Sequence, residues 1–199
     1  NHFTIWCWSK VGKMSCISTF LEPIDHEMPN CCDISTSREA YKVDGSHGIK
    51  IYCREQELKS VDYYDDHPEK GFIYLEFSDL IAQDNQIKVK LEQIQSSNLP
   101  KGLNKEIRKQ YYKVIHQELV QKIKDSVYLR DLIMPNHVEN IPSTFSKVGK
   151  FVVVIAPIED GKKADIARCI DRWRQSILAS VPKDIHQGVF ILPLDHYIS

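Results

Sequence analysis

The apolar positions of this chain follow two rhythms, and each predicts a kind of element. Residues 151–156 (Phe-Val-Val-Val-Ile-Ala) are the most apolar run. An unbroken run of that length predicts a strand buried on both faces, as parallel strands are. Residues 3–8, 71–77 and 189–192 read as further buried strands, and 48–53 alternates apolar with polar like a half-buried strand. The second rhythm is helical. Ile107, Tyr111, Ile115, Leu119, Ile123 and Val127 stripe a helix over 104–133, with Asn104 as its cap and Pro135 past its end. Ile166, Ile170, Trp173 and Ile177 stripe another over 163–180, which Pro182 stops. A short helix is expected over 14–21, with Cys16, Ile17, Phe20 and Leu21 as its apolar side. Residues 22–47, rich in Pro, Asp, Ser and His, read as a long surface loop with a helical turn near 37–41. Residues 62–70 read as an acidic turn, and 87–91 as an edge strand or the start of a helix.

Strand 151–156, helix 163–180 and strand 189–192 make a βαβ unit, whose strands should be parallel. The first segments repeat the order: strand, polar loop, helix, strand. Such alternation predicts an α/β three-layer domain with a mostly parallel sheet. With 199 residues, 42% of them hydrophobic, a single domain around one core is expected. The net charge of -1 does not select nucleic acid or an anionic membrane as a partner. No apolar run reaches the ~18 residues of a membrane span. The chain starts at Asn1 with no basic-then-apolar leader, so it reads as a piece of a longer protein, with the cytoplasm as its expected location. Of the six cysteines, Cys31 and Cys32 are adjacent and Cys7 lies too far from Cys16 for a zinc knuckle. Reduced thiols are expected; a disulfide-containing extracytoplasmic binding domain is an alternative that a thiol count separates.

The order strand, polar loop, helix at the start of the chain carries Cys7-Trp8-Ser9-Lys10-Val11-Gly12-Lys13-Met14-Ser15. A phosphate loop runs G-x-x-x-x-G-K-[ST], with backbone N–H groups on phosphate, lysine on the outer phosphates and a hydroxyl on magnesium. Gly12 and Lys13 fit that pattern. Cys7 stands where the first glycine belongs, Met14 replaces the hydroxyl residue, and Ser15 comes one position late. On these residues the chain resembles P-loop NTPases of the STAND or NACHT type, and more loosely the Ras-like GTPases, for which only Asp195 of Leu192-Pro193-Leu194-Asp195 matches the guanine-reading motif. The resemblance implies a metal-binding acid at the end of strand 151–156, where Ala156 stands, with Glu159 and Asp160 following. A side chain at Cys7 intrudes on phosphate, and magnesium loses its ligands. The resemblance therefore implies a decayed scaffold: a non-catalytic regulatory or adaptor domain in a signalling or defence protein. Its partner is expected to be another protein or another domain of the same protein. No cofactor is expected, beyond weak nucleotide binding through Gly12, Lys13 and Ser15. A working ATPase or GTPase with a non-standard loop is the alternative.

Other constellations read more plainly. His67 and Glu69 with Asp62, Asp65 and Asp66 suit a solvated acidic turn better than a metal site. A metal-dependent nuclease needs a carboxylate on one strand and Glu-x-Lys on the next. Glu76 and Asp79 supply carboxylates, but no Glu-x-Lys follows in register. Cys32 with His26 or His47 has only generic spacing for a thiol–imidazole pair. Helix 104–133 carries Lys105, Arg108, Lys109, Lys113, Lys122, Lys124 and Arg130. A solvated face explains these better than phosphate contact, so nucleic acid is disfavoured. Tyr63 and Tyr64 are the exposed aromatics offered as a partner surface, and Trp6, Trp8 and Trp173 are assigned to the core.

Overall fold

The computed structural model describes residues 14–29, 31–96 and 100–198. A six-stranded sheet holds β2 (Leu21–Pro23), β3 (Glu39–Lys42), β4 (Tyr63–His67), β5 (Gly71–Phe77), β7 (Lys150–Ile155) and β8 (Val189–Pro193), in that spatial order. A separate parallel pair joins β1 (Ser15–Cys16) to β6 (Val138–Glu139). The helices are α1 (Ile49–Tyr52), α2 (Leu80–Gln95), α3 (Lys101–Tyr128), α4 (Lys163–Leu178) and α5 (Leu194–Ile198).

The α/β class holds, and so does the βαβ unit: β7, α4 and β8 follow in order, with the strands parallel. The sheet itself is mixed. β5, β7 and β8 are mutually parallel, whereas β2, β3, β4 and β5 pair antiparallel. The reason is the stretch read as an acidic turn. Tyr63 to His67 form a strand that hairpins into β5 through residues 68–70. Tyr63 and Tyr64 are fully buried, one on each face, so neither offers a partner surface. The expected surface loop 22–47 contributes β2 and β3.

Two further expectations fail locally. Residues 14–21 form no α-helix: β1, a 3-10 turn over Ile17–Phe20 and the start of β2 take their place. Apolar residues at Ile17 and Phe20 satisfy a 3-10 turn as well as an α-helix. Residues 48–53 hold α1 and no strand. Their buried positions, Ile49, Lys50 and Cys53, follow helical spacing, with Lys50 drawn in by its ion pair to Asp44. Strand 3–8, Gly12, Lys13, Trp6, Trp8 and Cys7 lie outside the described residues.

The sheet separates two halves of the core, as the period of two along each strand requires. One face carries Tyr64, Phe72, Tyr74, Phe151, Val153 and Ile155, covered by α3 and α4 through Leu119, Ile123, Trp173 and Ile177. The other carries Tyr63, Ile73, Leu75, Val152 and Val154, covered by Ile24, Met28, Leu194 and Tyr197. α3 is fixed to β4 by two buried bonds: the Tyr64 hydroxyl donates to the Ser126 carbonyl at 2.6 Å, and the Val61 N–H donates to Ser126 Oγ at 2.9 Å. Leading into β7, Gly149 sits so close to the aromatic layer that a Cβ there would lie 2.6 Å from Phe72 Cδ1 and 2.9 Å from Tyr74 Cε2. Neither ring can retreat, since Phe72, Tyr74 and Tyr64 pack edge to face. Gly149→Ala is therefore expected to cost about 1–3 kcal/mol in urea unfolding, the usual range for overpacking.

Candidate functional site

Strand direction decides which residues share an edge. The carboxyl ends of β5, β7 and β8 point the same way, because these strands are parallel. β4 is antiparallel to β5, so its amino end lies at that edge as well, and with it Asp62. β3 brings Lys42 and then Asp44 to the same edge. Ligands of α/β sheets collect outside the carboxyl ends of parallel strands, where loops diverge. Two cavities open here. One, of about 570 Å³, is lined by Glu22, His26, Lys42, Asp44, His47 and Asp62 among others. The second, of about 220 Å³, is lined by Glu76, Gln83, Glu118 and Lys122. Phe77, Ser78 and Asp79 border both.

Between the cavities sits a buried charge cluster. Glu76 points from β5 to the α3 side of the sheet, and its side chain is 4% exposed. Lys122 reaches it from α3, Nζ to Oε1 at 2.6 Å. Asp62 stands one step beyond the Tyr63–Leu75 pair, opposite Glu76, and its Oδ2 accepts the Phe77 N–H at 2.7 Å. Glu76 Oε2 is buried and has no hydrogen-bond partner among the described residues. Burial first, and then the neighbouring Asp62, push the Glu76 carboxyl up to about 8 despite Lys122. Burial likewise raises Asp62, against the pull of Lys122 and Lys42. Lys122 is raised overall: burial opposes its charge, but Glu76, Asp62 and Asp44 together outweigh that cost. The cluster is short of positive charge.

Asp79 takes another job. Its Oδ1 accepts the Ala82 N–H at 2.9 Å and caps α2. Of the acidic stretch, Asp62 belongs to the cluster, while Asp65 is buried in a separate ion pair with Arg38. His67 caps its own turn, its Nδ1 accepting the Glu69 and Lys70 N–H groups. No group of at least three His, Cys, Asp or Glu side chains stands ready to hold a metal ion among the described residues. Cys16, Cys31, Cys32, Cys53 and Cys169 are free thiols. Ser15 lies in β1, with its hydroxyl on Thr19 Oγ1 at 3.3 Å, and heads no α-helix. Glu159 is exposed and pairs with Lys162 at 2.9 Å. No described helix is long and apolar enough to cross a membrane.

Sequence reasoning named Glu76 with Asp79, set Asp62 in a solvated turn and left Lys122 on a solvated helix face. Glu76 was visible as the one charge in a buried strand, Gly-Phe-Ile-Tyr-Leu-Glu-Phe. The Glu-x-Lys position holds Ser78, and the lysine comes from a helix 46 residues downstream. The only signal for Lys122 is its place beside Ile123 on a helix whose other face is charged.

No family model, curated protein or solved structure matches this chain.

Proposed function

We propose that this chain is a divalent-cation-dependent phosphoester hydrolase whose site is Asp62, Glu76 and Lys122. The observation that carries the reading is Glu76 Oε2: a buried carboxylate oxygen without a hydrogen-bond partner among the described residues, between two cavities at the carboxyl ends of parallel strands. A buried polar atom left unsatisfied costs free energy and is kept at sites that await a ligand. Magnesium suits such a place, because it keeps several waters and needs one or two carboxylates from the protein. Asp62 and Glu76 would supply those two. A divalent cation held there would offset charge on phosphate oxygens and acidify a bound water.

The chain's own groups define the rest. Asp62 is fixed by the Phe77 N–H, so its second oxygen keeps its direction. Lys122 keeps its ammonium beside Glu76 and can donate to a phosphate oxygen or to the attacking water. Lys42, held at 3.0 Å by the Tyr63 hydroxyl, sets a second cation in the larger cavity.

The test combines binding with turnover. Titration of Mg²⁺ or Mn²⁺ should show saturable binding, and bis-p-nitrophenyl phosphate should be hydrolysed only with the metal present. Asp62→Asn should lower turnover by at least about 100-fold, the scale of a lost electrostatic catalytic group. Absence of both metal binding and turnover sinks the reading. It would return the chain to the alternative of a non-catalytic interaction domain on a decayed phosphate-loop scaffold, which rests on Gly12-Lys13 and the parallel β5, β7 and β8.

A further inference from the structure

The cations of α3 do not form one solvated face. Lys122 turns to Glu76. Arg130, two residues past the end of α3, is buried over the rings of Phe72 and Tyr74, at 5.1 and 5.2 Å, and donates to the Lys147 carbonyl. Lys109, Lys113 and Lys124 lie elsewhere, and with Arg172 of α4 they line a groove of about 760 Å³. Among the described residues its remaining lining is neutral, Tyr112, His116, Gln117 and Ser176 among it, with no carboxylate.

Three features narrow what fits this groove. First, the cations are spread out. Lys109 and Lys124 are 15 positions apart in one helix, which is about 22 Å at the usual rise. A single phosphate would need its cations gathered at one point. Second, the groove is walled by two helices in direct contact: Ser176 Oγ of α4 lies 2.9 Å from Nδ1 of His116 on α3. Packed helices stand about 8–10 Å apart between axes, so the seam between them is a single narrow trough. Third, the wall includes a flat ring. Tyr112 lies beneath the Arg172 guanidinium at 5.0 Å, and Arg172 is held from behind by Asp84 at 3.2 Å. Lys88 also pairs with Asp84, at 2.8 Å, so Arg172 keeps charge to spare. Cations in a row beside a ring-stacked arginine match the backbone-tracking cations and arginine contacts of single-strand sites.

We propose that the α3–α4 groove binds a single strand of nucleic acid through its phosphates. The overall charge of -1 conceals this local excess, because it sums the carboxylates that line the larger sheet-edge cavity with the four cations that line this groove. The inference stands apart from the hydrolytic reading, since the groove shares no lining residue with the Asp62–Glu76 cavities.

Fluorescence anisotropy with a labelled 12-nucleotide single strand, in EDTA, tests it without any metal chemistry. Binding is expected with Kd of about 10⁻⁶–10⁻⁴ M near 0.1 M salt, the range for non-specific nucleic-acid contacts. Lys113→Gln with Lys124→Gln should weaken it about tenfold or more and flatten the salt dependence by ~1.4 in log–log slope, ~0.7 for each lost phosphate contact. Lys70→Gln, on the β4–β5 turn, should leave it unchanged. A duplex of the same length should bind more weakly. The proposal is overturned if the strand shows no binding at 10⁻³ M (about the weakest useful limit), or if the double variant binds like the parent. It is also overturned if inorganic polyphosphate or the duplex binds as tightly as the strand.

Discussion

Replacing Arg38 by methionine is expected to lower the unfolding free energy by about 3–5 kcal/mol, the cost of stripping one partner from a buried ion pair. Asp65 sits in β4 with its side chain 1% exposed. Its carboxylate takes both oxygens to Arg38 Nη2, at 2.5 and 2.6 Å, and Oδ2 also accepts the Tyr197 hydroxyl at 3.0 Å. Methionine keeps the packing of the arginine stem but removes the charge. Asp65 would then be left with one neutral donor in a dry place. For a chain of this size the loss corresponds to a fall of about 6–20 °C in melting temperature. Adding Asp65→Asn to the same variant should recover most of it, because the uncompensated charge disappears. A loss below about 1 kcal/mol in the single variant would show that the pair behaves as a surface ion pair does and that Asp65 does not depend on Arg38. The contact also ties α5 to the sheet, so exchange of the Tyr197 amide should speed up in the single variant.

The same pair explains why the middle of the sheet was hard to read. Tyr-Tyr-Asp-Asp-His looks like a turn when acids are taken as solvated. Asp65 is buried only because Arg38, 27 residues earlier, is positioned to meet it. Residues 151–156, 163–180 and 189–192 were legible for the opposite reason: their apolar periodicity states the burial directly, and β7, α4 and β8 match. Residues 14–21 and 48–53 are too short for periodicity to separate helix, 3-10 turn and strand. The candidate site divides along the same line. Glu76 lies in a strand whose pattern is strong, Asp62 leads into the one that its acids disguised, and only the hairpin register sets them opposite each other. Lys122 was one of seven cations on its helix, and only the packing of α3 against β5 singles it out.

That site has a stability signature of its own. The Glu76 carboxyl ordinarily titrates at 4.5 and is held up to about 8 in the folded chain, by burial and then by Asp62. Below pH 4.5 folded and unfolded chains both carry the proton. Between 4.5 and 8 the unfolded chain releases it while the folded chain keeps it, so stability falls as pH rises through that window. Above 8 the penalty is constant. Each pH unit across the window is worth about 1.4 kcal/mol, so the total is several kcal/mol. Glu76→Gln keeps the shape and removes the ionisation. Its unfolding free energy should therefore change far less between pH 5 and 8, and at pH 8 the variant should be the more stable protein. Stability gained by losing a buried carboxylate is what a functional site predicts, since such groups are kept at a cost to the fold. Magnesium supplies the discriminating measurement. At pH 8 it should raise the melting temperature of the parent, by binding the folded state alone, and leave Glu76→Gln nearly unmoved. If the parent's pH profile is as flat as the variant's, Glu76 is an ordinary ion pair with Lys122. If magnesium stabilises both proteins equally, the metal binds elsewhere. Lys122→Met should act in the opposite sense to Glu76→Gln: it removes the cation bonded to Glu76, drives the Glu76 carboxyl further up and widens the window over which stability is lost.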